Sequence, residues 1–192
     1  MQLAPANPQF ALSRFPTGRS TRLEALVKTV KQCLALPVNH PNDIPAIIAS
    51  QLRGFMSARE LLNQTQQQPN AAHYQRHTLY RDEAGEFTIL ALVWLPGQET
   101  PVHGHMAWGA VGLYSGELNV ISYEIFGTRA GQLQLKAVKE IDAREGDVTS
   151  VTGGINDIHR IKNLSSKPAI SIHVYGMDVP PESQALNILF PQ

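Results

Sequence analysis

From about residue 73 onward the apolar residues stop recurring at helical spacing and begin to alternate, and that switch of period constrains the fold of this chain most. Phe87-Thr88-Ile89-Leu90-Ala91-Leu92-Val93-Trp94 is a run of bulky and β-branched residues that reads as a buried strand. Val111 to Phe126 reads as two strands joined near Ser115-Gly116-Glu117, and the stretches Leu133 to Ile141 and Ala169 to Tyr175 alternate in the same way. Gly, Pro, Asp and Asn turns separate these segments, and no helical pattern lies between them. That order excludes a parallel βαβ sheet and predicts an antiparallel sandwich or barrel. No Gly-rich phosphate loop follows any of these strands, and Thr152-Gly153-Gly154 lacks the Lys that such a loop needs, so it reads as a turn.

The first third is different. An arm carrying Pro5, Pro8 and Pro16 is expected to be extended. Ser20-Thr21 then precede Leu23, Leu26, Val27, Val30 and Leu34, which share one face of a helix that Pro37 ends. A second helix is expected to open with Asn42-Asp43 as its cap before Pro45 and to run through Ile47, Ile48, Leu52, Phe55, Leu61 and Leu62, with Gly54 a point of interruption. Gln64 to Gln68 reads as a polar loop. With 192 residues the chain is expected to be one structural domain, with residues 1–72 as arm and helical cap and 73–192 as the β-barrel.

Lys plus Arg and Asp plus Glu each number 16, with no basic block, so the charge footprint of a nucleic-acid binder is missing. No apolar run approaches the roughly 20 residues needed to cross a bilayer, and the first residues lack a signal-peptide pattern. Cys33 is the one cysteine, which rules out an intrachain disulfide and suits a reducing cytoplasm; its spacing among Leu26, Val30 and Leu34 places it in the core.

The chemistry concentrates in two segments. His103-Gly104-His105 follows the Pro96-Gly97 turn, and alternate residues of a strand point to one face, so both imidazoles can reach one ion. His159 arrives later in a Gly-bounded segment together with Asn163. Three neutral nitrogen donors from two strands describe a site for a first-row transition metal with open positions. Ser171, His173 and Tyr175 alternate on one strand face, where hydroxyl, imidazole and phenol can form a hydrogen-bond chain. Trp94 and Trp108 read as packing residues, and His40 as a surface residue, while His73 and His77 lie where they can approach the cavity.

The segments Gly97…His103, His105…Gly116 and Gly146…Gly154, His159, Asn163 resemble the paired motifs of the cupin superfamily. Many cupins place a metal-binding Glu where this chain has Gly109, so the set here is three histidines. Pro101-Val102-His103-Gly104-His105-Met106-Ala107-Trp108-Gly109, Asp157-Ile158-His159-Arg160-Ile161-Lys162-Asn163 and Ser171-Ile172-His173-Val174-Tyr175 resemble the thiol dioxygenases more narrowly, namely cysteine dioxygenase and its relative 3-mercaptopropionate dioxygenase.

That resemblance implies a mainly β fold, a cupin-type double-stranded β-helix (an antiparallel β-barrel) under an N-terminal helical cap. It implies Fe(II) held by His103, His105 and His159, with catalytic roles for Tyr175, His173 and Ser171. The implied reaction takes a small thiol and O₂ to a sulfinic acid. Tyr74-Gln75-Arg76 resembles the segment in which cysteine dioxygenases carry a carboxylate-binding Arg; counting back from His103 requires a one-residue shift, which leaves His77 as the alternative. Arg76 favours L-cysteine, whereas the motifs around the histidines resemble the 3-mercaptopropionate enzymes more closely; L-cysteine is the expected substrate. Two positions depart from the family: Gly104 stands where Asp is usual, and Gly109 stands where mammalian enzymes carry the Cys cross-linked to the catalytic Tyr, so Tyr175 is expected to be unmodified. The rival expectation from another class is a non-enzymatic metal-binding cupin that acts as a ligand-binding module. A cytoplasmic protein, monomeric or a small homo-oligomer, with no nucleic-acid or membrane partner, completes the reading.

Overall fold

The computed structural model describes residues 20–38, 40–58, 60–129, 131–180 and 186–190. The expected N-terminal arm lies outside them. α1 (Thr21–Leu34) starts where the sequence signals it: the Ser20 hydroxyl accepts from the Leu23 backbone N–H at 3.1 Å, which satisfies one of the orphan donors of the first turn. Leu23, Leu26, Val30 and Cys33 form its buried face. Lys31 ties the helix to the sheet through Asp82 at 2.9 Å, and Asp82 also accepts from the Tyr80 hydroxyl at 3.1 Å.

The second helix is shorter than its pattern suggests. Pro41–Asp43 forms a 3₁₀ turn, and Asp43 makes no side-chain cap bond. α2 covers only Ile44–Leu52, continued by one 3₁₀ turn over Arg53–Phe55. Gly54, a poor helix former, lies in that turn, and Leu61 and Leu62 reach the core from beyond it without a helix. Their burial, which the periodicity registered, comes from tertiary packing.

Ten strands follow among the described residues: β1 (Gln75–Arg81), β2 (Thr88–Trp94), β3 (His103–His105), β4 (Gly109–Ser115), β5 (Glu117–Arg129), β6 (Gln132–Arg144), β7 (Val148–Val151), β8 (Gly154–Lys162), β9 (Ala169–Tyr175) and β10 (Asn187–Leu189). All named pairings are antiparallel. They make two five-stranded sheets, β1-β2-β9-β4-β7 and β10-β3-β8-β5-β6. Among the described residues no named pairing joins the two, so the expected barrel is a pair of facing sheets without closure.

β2 and β9 are buried at every position, because the helices cover one face of their sheet and the other looks into the space between sheets. Ile89, Ala91 and Val93 pack with Ile170, Ile172 and Val174 toward the helices; Leu90, Leu92 and Trp94 face inward. The alternation from Leu133 to Ile141 forms β6 as expected, yet Leu133, Val138 and Ile141 are 40 %, 46 % and 43 % exposed. β6 is an edge strand of a long hairpin with β5. Alternation set its pleat but could not say whether anything covers it.

Candidate metal centre

β3 and β8 run side by side with His103 opposite His159, and His105 stands two residues along β3 on the same face. One ligand nitrogen from each ring lies within 4.8 Å of the others, and the ring centroids are 4.6–5.0 Å apart. The pairing slips between His103 and His105, so that His105 meets Gly154. Here Gly104 finds its reason. A Cβ at position 104 would sit 2.7 Å from the Gly154 carbonyl oxygen, so any side chain there, Asp included, would force the backbone of β8 to shift.

Burial holds all three rings neutral. It lowers the pKa of His103 and, with the neighbouring rings adding to it, lowers His105 and His159 to about 3 each. A neutral imidazole keeps a lone pair for an ion. His103 directs Nδ1 to the Pro101 carbonyl oxygen at 3.0 Å, which orients its ring. Three converging neutral nitrogens with no carboxylate fit a divalent first-row ion and leave its other positions open.

The face of β9 that looks at these histidines carries Ser171, His173 and Tyr175, joined as the alternation predicts. Ser171 Oγ is 2.8 Å from His173 Nε2, and His173 Nδ1 is 2.9 Å from the Tyr175 hydroxyl. The chain has a fourth member that its sequence does not announce: Trp94 Nε1 donates to Ser171 Oγ at 3.0 Å. An indole N–H can only donate. Ser171 therefore accepts from Trp94 and spends its own hydrogen on His173 Nε2, since the reverse order would leave that hydrogen buried without an acceptor. His173 Nδ1–H then donates to the Tyr175 oxygen, and the phenolic hydrogen of Tyr175 points on into the cavity. Complete burial lowers His173 to about 3 and pushes the Tyr175 phenol well above its usual value, so both stay neutral. The Tyr175 ring lies 5.8 Å from that of His105. Gly109 lies directly across from Tyr175, and a Cβ there would be 3.1 Å from the phenol ring.

These groups open on one cavity of about 660 Å³ between the sheets, which Arg76 and Tyr74 also line. Arg76 and His77 stand on opposite faces of β1: Arg76 pairs with inward-facing Leu92, His77 with Ala91 on the helix side. His77 does not line the cavity and meets the Gln68 carbonyl oxygen at 2.8 Å, so its placement as a substrate-binding residue is corrected. His73 is exposed beside the Tyr74 carbonyl and His40 is exposed. Arg76 Nη2 donates to the Tyr74 hydroxyl at 3.1 Å, and the Tyr74 ring stacks on Trp94 at 4.5 Å. Trp94, expected only to pack, thus braces both the relay and the cationic wall. No spacing rule finds it, because its partner arrives from a distant strand. Asn163 is fully buried and serves the turn after β8, donating to the Trp94 and Lys167 carbonyls at 3.0 and 2.8 Å.

Fold and site together define a two-sheet antiparallel β protein whose three buried histidines could hold one metal ion. The family described as cysteine dioxygenase type I matches residues 59–187, and the chain belongs to it. Among solved structures, a protein of Thermus thermophilus is similar at 19% identity over 60% of this chain and 95% of its own, with a TM-score of 0.46. A double-stranded β-helix protein of Klebsiella pneumoniae is 18% identical over 65% of this chain and 90% of its own, with a TM-score of 0.44. The oxalate decarboxylase of Lactobacillus farciminis is 16% identical over 67% of this chain and 35% of its own, with a TM-score of 0.45. Among the described residues no helix is long and apolar enough to cross a membrane.

Proposed function

We propose that this protein is an Fe(II)-dependent thiol dioxygenase that converts L-cysteine to its sulfinic acid, working in the cytoplasm as a monomer or small homo-oligomer. The observation that carries the reading is the meeting, in one buried cavity, of three neutral histidines, a guanidinium and a phenol held by a three-bond relay. A non-enzymatic metal-binding module has no use for the last of these. His103, His105 and His159 would hold the iron. When bound, iron supplies the redox chemistry that joins a thiolate and O₂. The net change is balanced without a further reductant: both oxygen atoms go to sulfur, and the thiol proton is released on forming the sulfinate.

The protein's own part is positioning. Arg76 donates to the substrate carboxylate, offsets its charge and fixes its distance from the sulfur. Tyr175 presents its hydroxyl hydrogen to the reacting atoms while His173 and Ser171 hold the phenol in that orientation. The apolar walls formed by Leu90, Leu92 and Leu113 exclude water around them.

Oxygen uptake by the iron-loaded protein is the test, with L-cysteine, 3-mercaptopropionate and cysteamine offered in turn and the product identified by mass. Uptake matched by sulfinate is the expected result, with L-cysteine preferred. Iron bound without turnover of any thiol would favour the ligand-binding module. Replacing any one of His103, His105 or His159 by Ala should abolish iron binding, because three ligands leave no redundancy.

A further inference from the structure

His103 has a backbone partner that fixes its ring, and His105 has none: its Nδ1 is buried without a hydrogen bond. A second buried atom of the cavity wall is also without a partner, the side-chain oxygen of Asn187. The two residues face one another. β10 pairs with β3 in an antiparallel register that sets Asn187 directly opposite His105, and both side chains line the cavity. A neutral imidazole that gives one nitrogen to an ion must carry its hydrogen on the other. With Nδ1 sealed off, Nε2 is the nitrogen offered to the cavity, and Nδ1–H needs an acceptor. The neighbouring β10 supplies an orphaned one.

We infer that Asn187 is the positioning residue of His105: on metal binding its side-chain oxygen accepts from His105 Nδ1–H and fixes both the tautomer and the direction of the ring. The inference rests on the three-histidine metal site proposed above, and on neither the substrate nor the reaction. It also gives β10 a task. Apart from that strand, His105 is anchored only by a pairing that slips at Gly104. A ring that turned freely there would offer its lone pair only part of the time. Partners of this kind typically contribute ten- to hundred-fold in metal affinity.

The test uses zinc alone, titrated into metal-free full-length protein against a competing chelator, so no turnover is needed. Asn187→Leu, which keeps the shape and loses the acceptor, should weaken zinc binding ten- to hundred-fold. Asn187→Asp restores an acceptor and should bind zinc at least as well as wild type, an outcome that mere packing would not produce. Wild-type protein gives an independent readout in its zinc form: nitrogen-15 NMR should show a slowly exchanging Nδ1–H on His105, with a nuclear Overhauser effect to the Asn187 carboxamide protons. That measurement decides the matter even if Asn187→Leu fails to fold. Equal zinc affinity in wild type and Asn187→Leu, or a His105 ring protonated on Nε2, overturns this inference while leaving the metal site intact. Failure of the wild type to bind zinc overturns both.

Discussion

Arg76→Gln puts the substrate assignment at stake. The guanidinium lines the cavity, one Nη2–H is held by the Tyr74 hydroxyl at 3.1 Å, and its carbon lies 5.6 Å from the Tyr74 ring. That ring is itself stacked on buried Trp94. The side chain is therefore set in place before a ligand arrives, and little ordering cost remains to be met on binding. A hydrogen bond to a charged group contributes about 1.5–3 kcal/mol. Gln can still donate but carries no charge, so kcat/KM for L-cysteine should fall roughly 10- to 150-fold. 3-Mercaptopropionate, which lacks the amine and must seat its carboxylate differently, should lose less. Cysteamine has the thiol and amine but no carboxylate, and its turnover should hardly change. Assays belong near neutral pH, where His103 and His173, both lowered in part by the Arg76 charge, are neutral in either protein. An equal loss with cysteamine would show that the substitution damaged the site rather than a carboxylate contact. A wild type that strongly prefers 3-mercaptopropionate would refute the assignment of Arg76 outright.

Tyr175→Phe should retain metal and thiol binding while kcat falls about 100-fold or more, since the lost hydroxyl acts on the developing oxygen chemistry; weakened binding with normal kcat would make Tyr175 a substrate clamp. Intact-mass measurement should show Tyr175 unmodified, as Gly109 opposite it offers no sulfur. Gly104→Ala forces a Cβ against the Gly154 carbonyl oxygen at 2.7 Å and should cost about 1–3 kcal/mol, read as a lowered Tm and a reduced metal content. Wild-type stability there would mean that β3 and β8 approach less closely than described. Metal-free protein should weaken on acidification: His173 titrates near 3 when folded and about 6.5 when unfolded, so the unfolded chain binds the extra proton. The stability it contributes is present above about pH 6.5 and declines as pH falls, by roughly 1 kcal/mol at pH 5.5, which urea unfolding at the two pH values would measure. The same comparison in His173→Gln should show a correspondingly smaller loss.

Local rules reached far into this molecule because they act over a few residues. The alternation of Ala169 to Tyr175 was enough to place Ser171, His173 and Tyr175 on one face, and the relay has that order. His103 and His105 share a face for the same reason, and Ser20 caps α1 because its hydroxyl and the Leu23 N–H are neighbours along the chain. Motif order along the chain also carried the family. What sequence order could not settle were contacts between residues far apart in the chain. Arg76 and His77 are adjacent letters, and a one-residue shift left the second open as the alternative to the first; only the pairing of β1 with β2 turns one into the cavity and the other toward the helices. Gly104 reads as a loss until β8 arrives, and its backbone oxygen shows why a side chain there would force the strands apart. Trp94 and Asn187 belong to no motif, and each enters the site through a partner on another strand, Ser171 and His105. Periodicity is written within one strand and fixes which face a side chain takes. Which atoms meet across that face depends on how the strands pair and how the two sheets stack, and the tertiary structure alone decides that.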